Sequence, residues 1–175
     1  IEVGVFLKAR FPFFHNKVNY RNHRKVVVVD GQTGFVGGMN VADRYVVGDS
    51  LGNWRDTLIK IKGNAVAGLQ NSFLIDWYFV SRSYIISEEY YPKLPAQGHK
   101  MVQTVTSGPD SDWETILQSF CKMMSTAKKY VYMQKPYFLP PDSLLSAIKI
   151  AALSGVDVRL LLSENSDALF TNVAS

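Results

Sequence analysis

The chain has 175 residues, 47% hydrophobic and 19% charged, with a formal net charge of +4; this suits a folded domain with a core and excludes disorder along its whole length. The charge permits an anionic partner such as phosphate, lipid headgroups or nucleic acid without demanding one. Cys121 is the only cysteine, so no intrachain disulfide can form, and no apolar run reaches the roughly 20 residues of a membrane-spanning helix.

"IEVGVFL" opens the chain as a short buried strand, without an initiator methionine, and reads as part of something longer. "KARFPFFHNKVNYRN" follows as a loop broken by Pro12. "HRKVVVVD" is β-branched enough for a buried strand, "DGQTG" is strong turn chemistry, and "FVGGMN" returns as a second strand, predicting a hairpin. Past a polar loop with Gly48, Gly52 and Trp54, "DTLIKIKG" alternates like a strand. The spacing of Val66, Leu69, Phe73 and Trp77 then predicts a helix over 64–81, with Asn64 as its N-cap. A loop with Pro92, Pro95 and Gly98 runs to about residue 100.

"MVQTVTSG" reads as a strand, and "SDWE" as a capping box from Ser111 to Glu114. The helix it opens has Ile116, Leu117, Phe120 and Met124 on one face. "KYVYMQ" is a strand, "PPDSLLSAIKIAALSG" a helix stopped at Gly155, and "VDVRLLL" a strand. The later half alternates strand and helix, the pattern of parallel strands, whereas the earlier half is hairpin-like. The fold class is therefore α/β, with a mixed sheet flanked by helices.

The chemistry concentrates in "NHRKVVVVDG". Residues two apart on a strand share a face, so His23 and Lys25 point one way and Arg24 the other. An imidazole can act as nucleophile or proton carrier near neutral pH, and an ammonium neutralises phosphoryl charge. Asp30 stands at odd offset from both and suits a turn-capping role. Asn40 returns on the next strand beside His23, and Gly37 and Gly38 allow close backbone approach to a ligand. Singly these signals are ordinary: a histidine beside valines is usually structural, and Gly-Gly is usually a bend. Their joint spacing is specific.

That joint pattern, His-x-Lys, four residues, Asp, then Gly-Gly-x-Asn, resembles the signature of the phospholipase D superfamily. "YRNHRKVVVVDGQTGFVGGMNVADRY" is similar to its bacterial cardiolipin synthase branch, and the likeness continues through "WRDT", "GNAVAGLQNSFLIDW", "TSGPDSDWETILQSF" and "PYFLPPDSLLSAIKIAALSGVDVRLLL". The resemblance implies a partial phospholipase D-like fold: residues 1–100 as the later part of a first pseudo-repeat carrying the motif, and 101–175 as the earlier part of a second repeat lacking its own motif.

It also implies roles. His23 is the expected nucleophile, forming a phosphohistidine. Lys25, Asn40 and Gly38 hold the substrate phosphate, Asp30 is supporting, and Asp56 of "NWRDT" orients the histidine. No metal or cofactor is implied. Lys135 departs from the pattern, which has Thr at that place. The implied reaction joins two phosphatidylglycerols into cardiolipin and releases glycerol at a membrane surface, in a parent protein of the bacterial cell membrane, with this chain itself soluble and without nucleic acid as partner. The absent second motif suggests a homodimer bringing two copies of His23 together. Two alternatives stand beside it: a phosphodiesterase or nuclease of the same superfamily, using Arg21, Arg24 and Lys25, or an inactive piece that only associates with a partner.

Overall fold

A computed structural model describes residues 1–6, 22–50, 52–95, 97–108 and 111–163. The chain divides into two compact units, one ending at Thr104 and the next beginning at Val105.

The first unit is built on an antiparallel sheet ordered β1 (Val26–Val29), β2 (Thr33–Gly37), β3 (Leu58–Lys62). Asp30 and Gly31, with φ of 54° and 63°, turn the chain between β1 and β2, and the Gln32 N–H closes the turn on the Val29 carbonyl at 3.0 Å. Positive φ at both central residues matches the right-handed twist of the flanking strands, which is why Asp-Gly was a hairpin signal. Val26 pairs with Val36 and Val29 with Thr33; across β2, Thr33 pairs with Lys62 and Gly37 with Leu58. A short helix α1 (Arg44–Val47) lies in the β2–β3 connection.

Helix α2 (Val66–Ser81) packs on β1 and β2, burying Val66 and Leu69. Gly34 leaves the room for this: a Cβ there would stand 2.7 Å from Leu69 Cδ1. The valine run splits by parity. Val26 and Val28 are half-buried, whereas Val27 and Val29 are 54% and 46% exposed. The expected buried strand is thus half-buried on one face and exposed on the other, because among the described residues a helix packs against one face only. A single 3₁₀ turn, Glu88–Tyr90, follows.

In the second unit α3 (Thr115–Thr126) leads to β4 (Tyr130–Lys135), α4 (Asp142–Leu153) and β5 (Asp157–Leu162), with β4 and β5 parallel as the alternation predicts. Its core is Met124, Ile148, Ala151 and Val156. Gly155 (φ 86°) ends α4 as expected, its N–H on the Ala152 carbonyl at 3.0 Å and that of Val156 on Ala151 at 3.2 Å. This pair of bonds is a Schellman motif, which satisfies the last carbonyls and favours glycine.

Several expectations are corrected. The described strands form two sheets, one antiparallel and one parallel, instead of a single mixed sheet. Residues 1–6 of "IEVGVFL" are exposed or half-exposed and form no strand; Gly4 lies against Trp77 and Val80, and the Phe6 ring is 5.1 Å from Phe79. This stretch runs along α2, where no ladder partner is available among the described residues. "MVQTVTSG" likewise forms no strand, since it passes α2 at Gly68, where a Cβ would meet Thr104 Cβ at 2.9 Å. Ala65, not Asn64, precedes α2, and no side chain caps it. Helix α3 begins after Glu114, so Ser111 is not its cap, and Ile116 and Phe120 remain 41% and 42% exposed. The loop expected over residues 8–22 falls, apart from Asn22, outside the described residues, and so does Arg21.

Candidate active site

Strand β1 begins at Val26, so His23, Arg24 and Lys25 form its lead-in and not its first residues. Hairpin pairing nevertheless reaches Lys25, whose carbonyl accepts the Gly37 N–H at 3.3 Å. The alternation also persists. Arg24, in step with the helix-facing Val26 and Val28, reaches Asp76 of α2, with Nη1 2.6 Å from Oδ1 and 2.7 Å from Oδ2. His23 and Lys25 are in step with Val27 and Val29, the face α2 does not cover.

The backbone around His23 is tied down on both sides. Asn22 accepts the Arg24 N–H on Oδ1 at 2.9 Å and donates from Nδ2 to Asp76 Oδ2 at 2.9 Å. Lys25 Nζ donates to the His23 carbonyl at 2.8 Å. Among the described residues the imidazole itself makes no hydrogen bond or ion pair, and it is exposed.

Two other expected residues come to this end of the sheet. Gly38 donates to the Thr57 carbonyl at 3.4 Å, continuing the β2–β3 pairing. The Asp56 carboxylate lies directly over Gly38: a Cβ there would stand 2.6 Å from Oδ1 and 2.8 Å from Oδ2. Oδ1 also accepts the Thr57 N–H at 2.6 Å. Continuing the β1–β2 register by three residues and the β2–β3 register by two sets His23 level with Met39 and Met39 level with Asp56. His23 and Asp56 are then two strands apart, about 10 Å between backbones. No hydrogen bond joins them among the described residues.

Asn40 follows on the same side of the hairpin, its Nδ2 donating to the Tyr45 hydroxyl at 2.9 Å. Tyr45 packs against Trp54 (ring centroids 5.5 Å apart), and the Arg44 guanidinium lies 4.6 Å over the Trp54 ring. Trp54 Nε1 is buried and has no hydrogen-bond partner among the described residues. Asp30 is not brought here. It sits in the hairpin turn at the far end of β1, about 20 Å along the strand from His23. Lys135 ends β4 in the second unit.

Reasoning from the sequence missed Asp76 and Tyr45. Asp76 carried a legible signal: it falls on the apolar stripe of α2, three residues beyond Phe73, where an unpaired carboxylate is costly. Its partner, Arg24, was the one basic residue of the lead-in with the wrong parity for the site. No group of three or more metal-ligating side chains occurs among the described residues.

Residues 120–175 match a family model described as cardiolipin synthase, PLD-like domain. Over 171 residues, 96% of its length, the chain is 44% identical to a cardiolipin synthase of Listeria monocytogenes serotype 4a (strain HCC23), covering 36% of that protein. It is 44% identical over 170 residues to cardiolipin synthase 2 of Bacillus anthracis (95% of this chain, 33% of the other) and 43% identical over 178 residues to a cardiolipin synthase of Geobacillus thermodenitrificans (100% and 36%). The chain therefore spans about a third of the length of these curated relatives. No solved structure matches it.

Proposed function

From a chain that belongs with the phospholipase D-like cardiolipin synthases, we propose the first half-site of a phosphatidyltransferase that joins two phosphatidylglycerols into cardiolipin and glycerol. One imidazole nitrogen of His23 attacks the phosphorus of the first lipid. The phosphorus–oxygen bond to glycerol breaks, and the glycerol leaves with a proton. A hydroxyl of the second phosphatidylglycerol, losing its proton, then attacks the phosphohistidine and frees His23. Splitting the exchange in two avoids a direct displacement between two lipid anions.

Lys25, the Gly38 backbone and Asn40 are the phosphate-holding groups of this reading. Asp56 is the carboxylate of this reading that orients the ring. The single observation that carries the proposal is that the lead-in bearing His23 and Lys25, and the Gly38 backbone with the Asp56 carboxylate over it, lie at the same end of a three-stranded sheet. Residues 1–100 and 101–175 are read as adjoining parts of two pseudo-repeats. A second histidine, from the rest of a full-length protein or from a second copy of this chain, supplies the proton to the leaving glycerol. The expected place of action is a bacterial membrane surface, although no described helix is long and apolar enough to cross a membrane.

The test uses a protein of the relatives' full length that carries this chain. Radiolabelled phosphatidylglycerol should leave a phosphatidyl adduct on His23, and His23→Ala should abolish both adduct and cardiolipin. DNA cleavage without cardiolipin formation would replace this reading with a nuclease. The nuclease has less support here, because Arg24 of its basic cluster is engaged by Asp76. For the isolated chain, light scattering that finds only monomer at high concentration would exclude the homodimer.

A further inference from the structure

Arg24 lies between the two residues assigned to phosphate chemistry, yet it is turned away from them and held. Its guanidinium meets both carboxylate oxygens of Asp76 at 2.6 and 2.7 Å, and Asn22 closes the ring by bonding the Arg24 N–H and Asp76 Oδ2, each at 2.9 Å. The Arg24 and Asp76 side chains are 35% and 18% exposed, so water only partly screens the pair. Every bond of this ring holds a residue immediately before or after His23, and none touches its imidazole.

We propose that Asp76 is the positioning residue of the nucleophile segment, acting through Arg24 and Asn22. This rests on the reading of His23 as the group that takes the phosphatidyl unit. The ring does two things. It anchors residues 22–24 to α2, which is itself fixed by the burial of Val66 and Leu69, so that His23 leaves the sheet on the uncovered face. It also keeps the Arg24 guanidinium, a second fixed cation, away from Lys25 and the lipid phosphate. A free guanidinium there would draw the lipid phosphate off the line of attack, since Arg binds phosphate oxygens in pairs.

The test follows the rate of adduct formation on His23 in the full-length protein, with turnover and thermal melting measured on the same samples. Asp76→Asn should slow adduct formation and kcat about 10- to 100-fold, as expected for a displaced reacting group, while KM stays within about threefold. Asp76→Glu should recover part of the loss. Arg24→Gln combined with Asp76→Asn should be no worse than the poorer single variant, because both remove one unit. Purely structural damage would instead lower active protein in proportion to the unfolded fraction, with the rate per folded molecule unchanged, and that result overturns the proposal. So does a folded Asp76→Asn protein with wild-type adduct kinetics, or losses that add in the double variant. Should Asp76→Asn fail to fold, Asn22→Ala, which leaves the ion pair in place, carries the test, and a wild-type rate there is equally fatal. If His23→Ala retains the adduct, the reading of His23 fails and the clamp with it. If His23 is essential and Asp76→Asn is silent, only the clamp fails.

Discussion

Gly38→Ala tests the placement of Asp56. The added Cβ would stand 2.6 Å from Asp56 Oδ1, whereas ordinary contact begins at 3.4 Å. The carboxylate must therefore retreat by about 0.8 Å, since the repulsive wall is steep and the obstacle is the free end of an exposed side chain. The retreating oxygen is the one that accepts the Thr57 N–H at 2.6 Å, so its movement disturbs that bond as well. Because Asp56 is exposed, water replaces much of what is lost, so the cost to stability is about 1 kcal/mol. The cost to the proposed reaction is larger: a shift of this size in an orienting group corresponds to a loss of about 10- to 100-fold in kcat. Urea unfolding and single-turnover adduct formation on His23, measured on the same preparation, separate the two. The double variant Gly38→Ala/Asp56→Ala should turn over no more slowly than Asp56→Ala alone, because the clash then has no object. Wild-type turnover in folded Gly38→Ala would show that the exact seat of Asp56 is immaterial to the reaction.

Gly37→Ala should behave differently, because the atoms it meets are backbone, Leu58 Cα at 2.9 Å and the Thr57 carbonyl oxygen. With nothing flexible to yield, stability should fall by about 2–3 kcal/mol or the β2–β3 pairing should open, read by amide exchange at Leu58 and Ile59. Leu69→Ala removes a buried side chain from the α2–β2 contact and should cost about 2–4 kcal/mol in urea unfolding. In the second unit, the Arg159 guanidinium and then the Tyr132 hydroxyl hold the Asp157 carboxyl below the ordinary carboxylate range. A depressed carboxyl contributes stability above its unfolded value and loses it as the pH falls through the folded one. An NMR titration of Asp157 should show the low midpoint, and Arg159→Gln should move it upward; an unmoved midpoint would discount the pair.

Much of the local structure was legible because its causes lie within a few residues. Asp30-Gly31 specified the hairpin turn by tolerating positive φ, Gly155 the end of α4, and the period of two the opposed directions of Arg24 and Lys25. The misses share another cause. "IEVGVFL" and "MVQTVTSG" have strand composition, but a strand exists only where a partner offers a ladder, and among the described residues neither stretch has one. The capping box failed for a related reason, since Ser111 is at a reasonable distance in sequence but the helix starts only after Glu114.

For the candidate site, the sequence pattern singled out the groups proposed to carry the chemistry, an imidazole and an ammonium in step on one strand approach with a glycine pair and an asparagine, and the family resemblance added a downstream carboxylate. Only the tertiary structure decided how they are held. The packing of α2 on one face of the sheet turned Arg24 from a candidate anion ligand into the partner of Asp76, 52 residues away. The alignment of β3 on β2 set Asp56 over Gly38, and the length of β1 carried Asp30 to the opposite end. Periodicity reports the direction a side chain takes. Which group it meets depends on elements distant in sequence that pack together for the sake of their apolar faces.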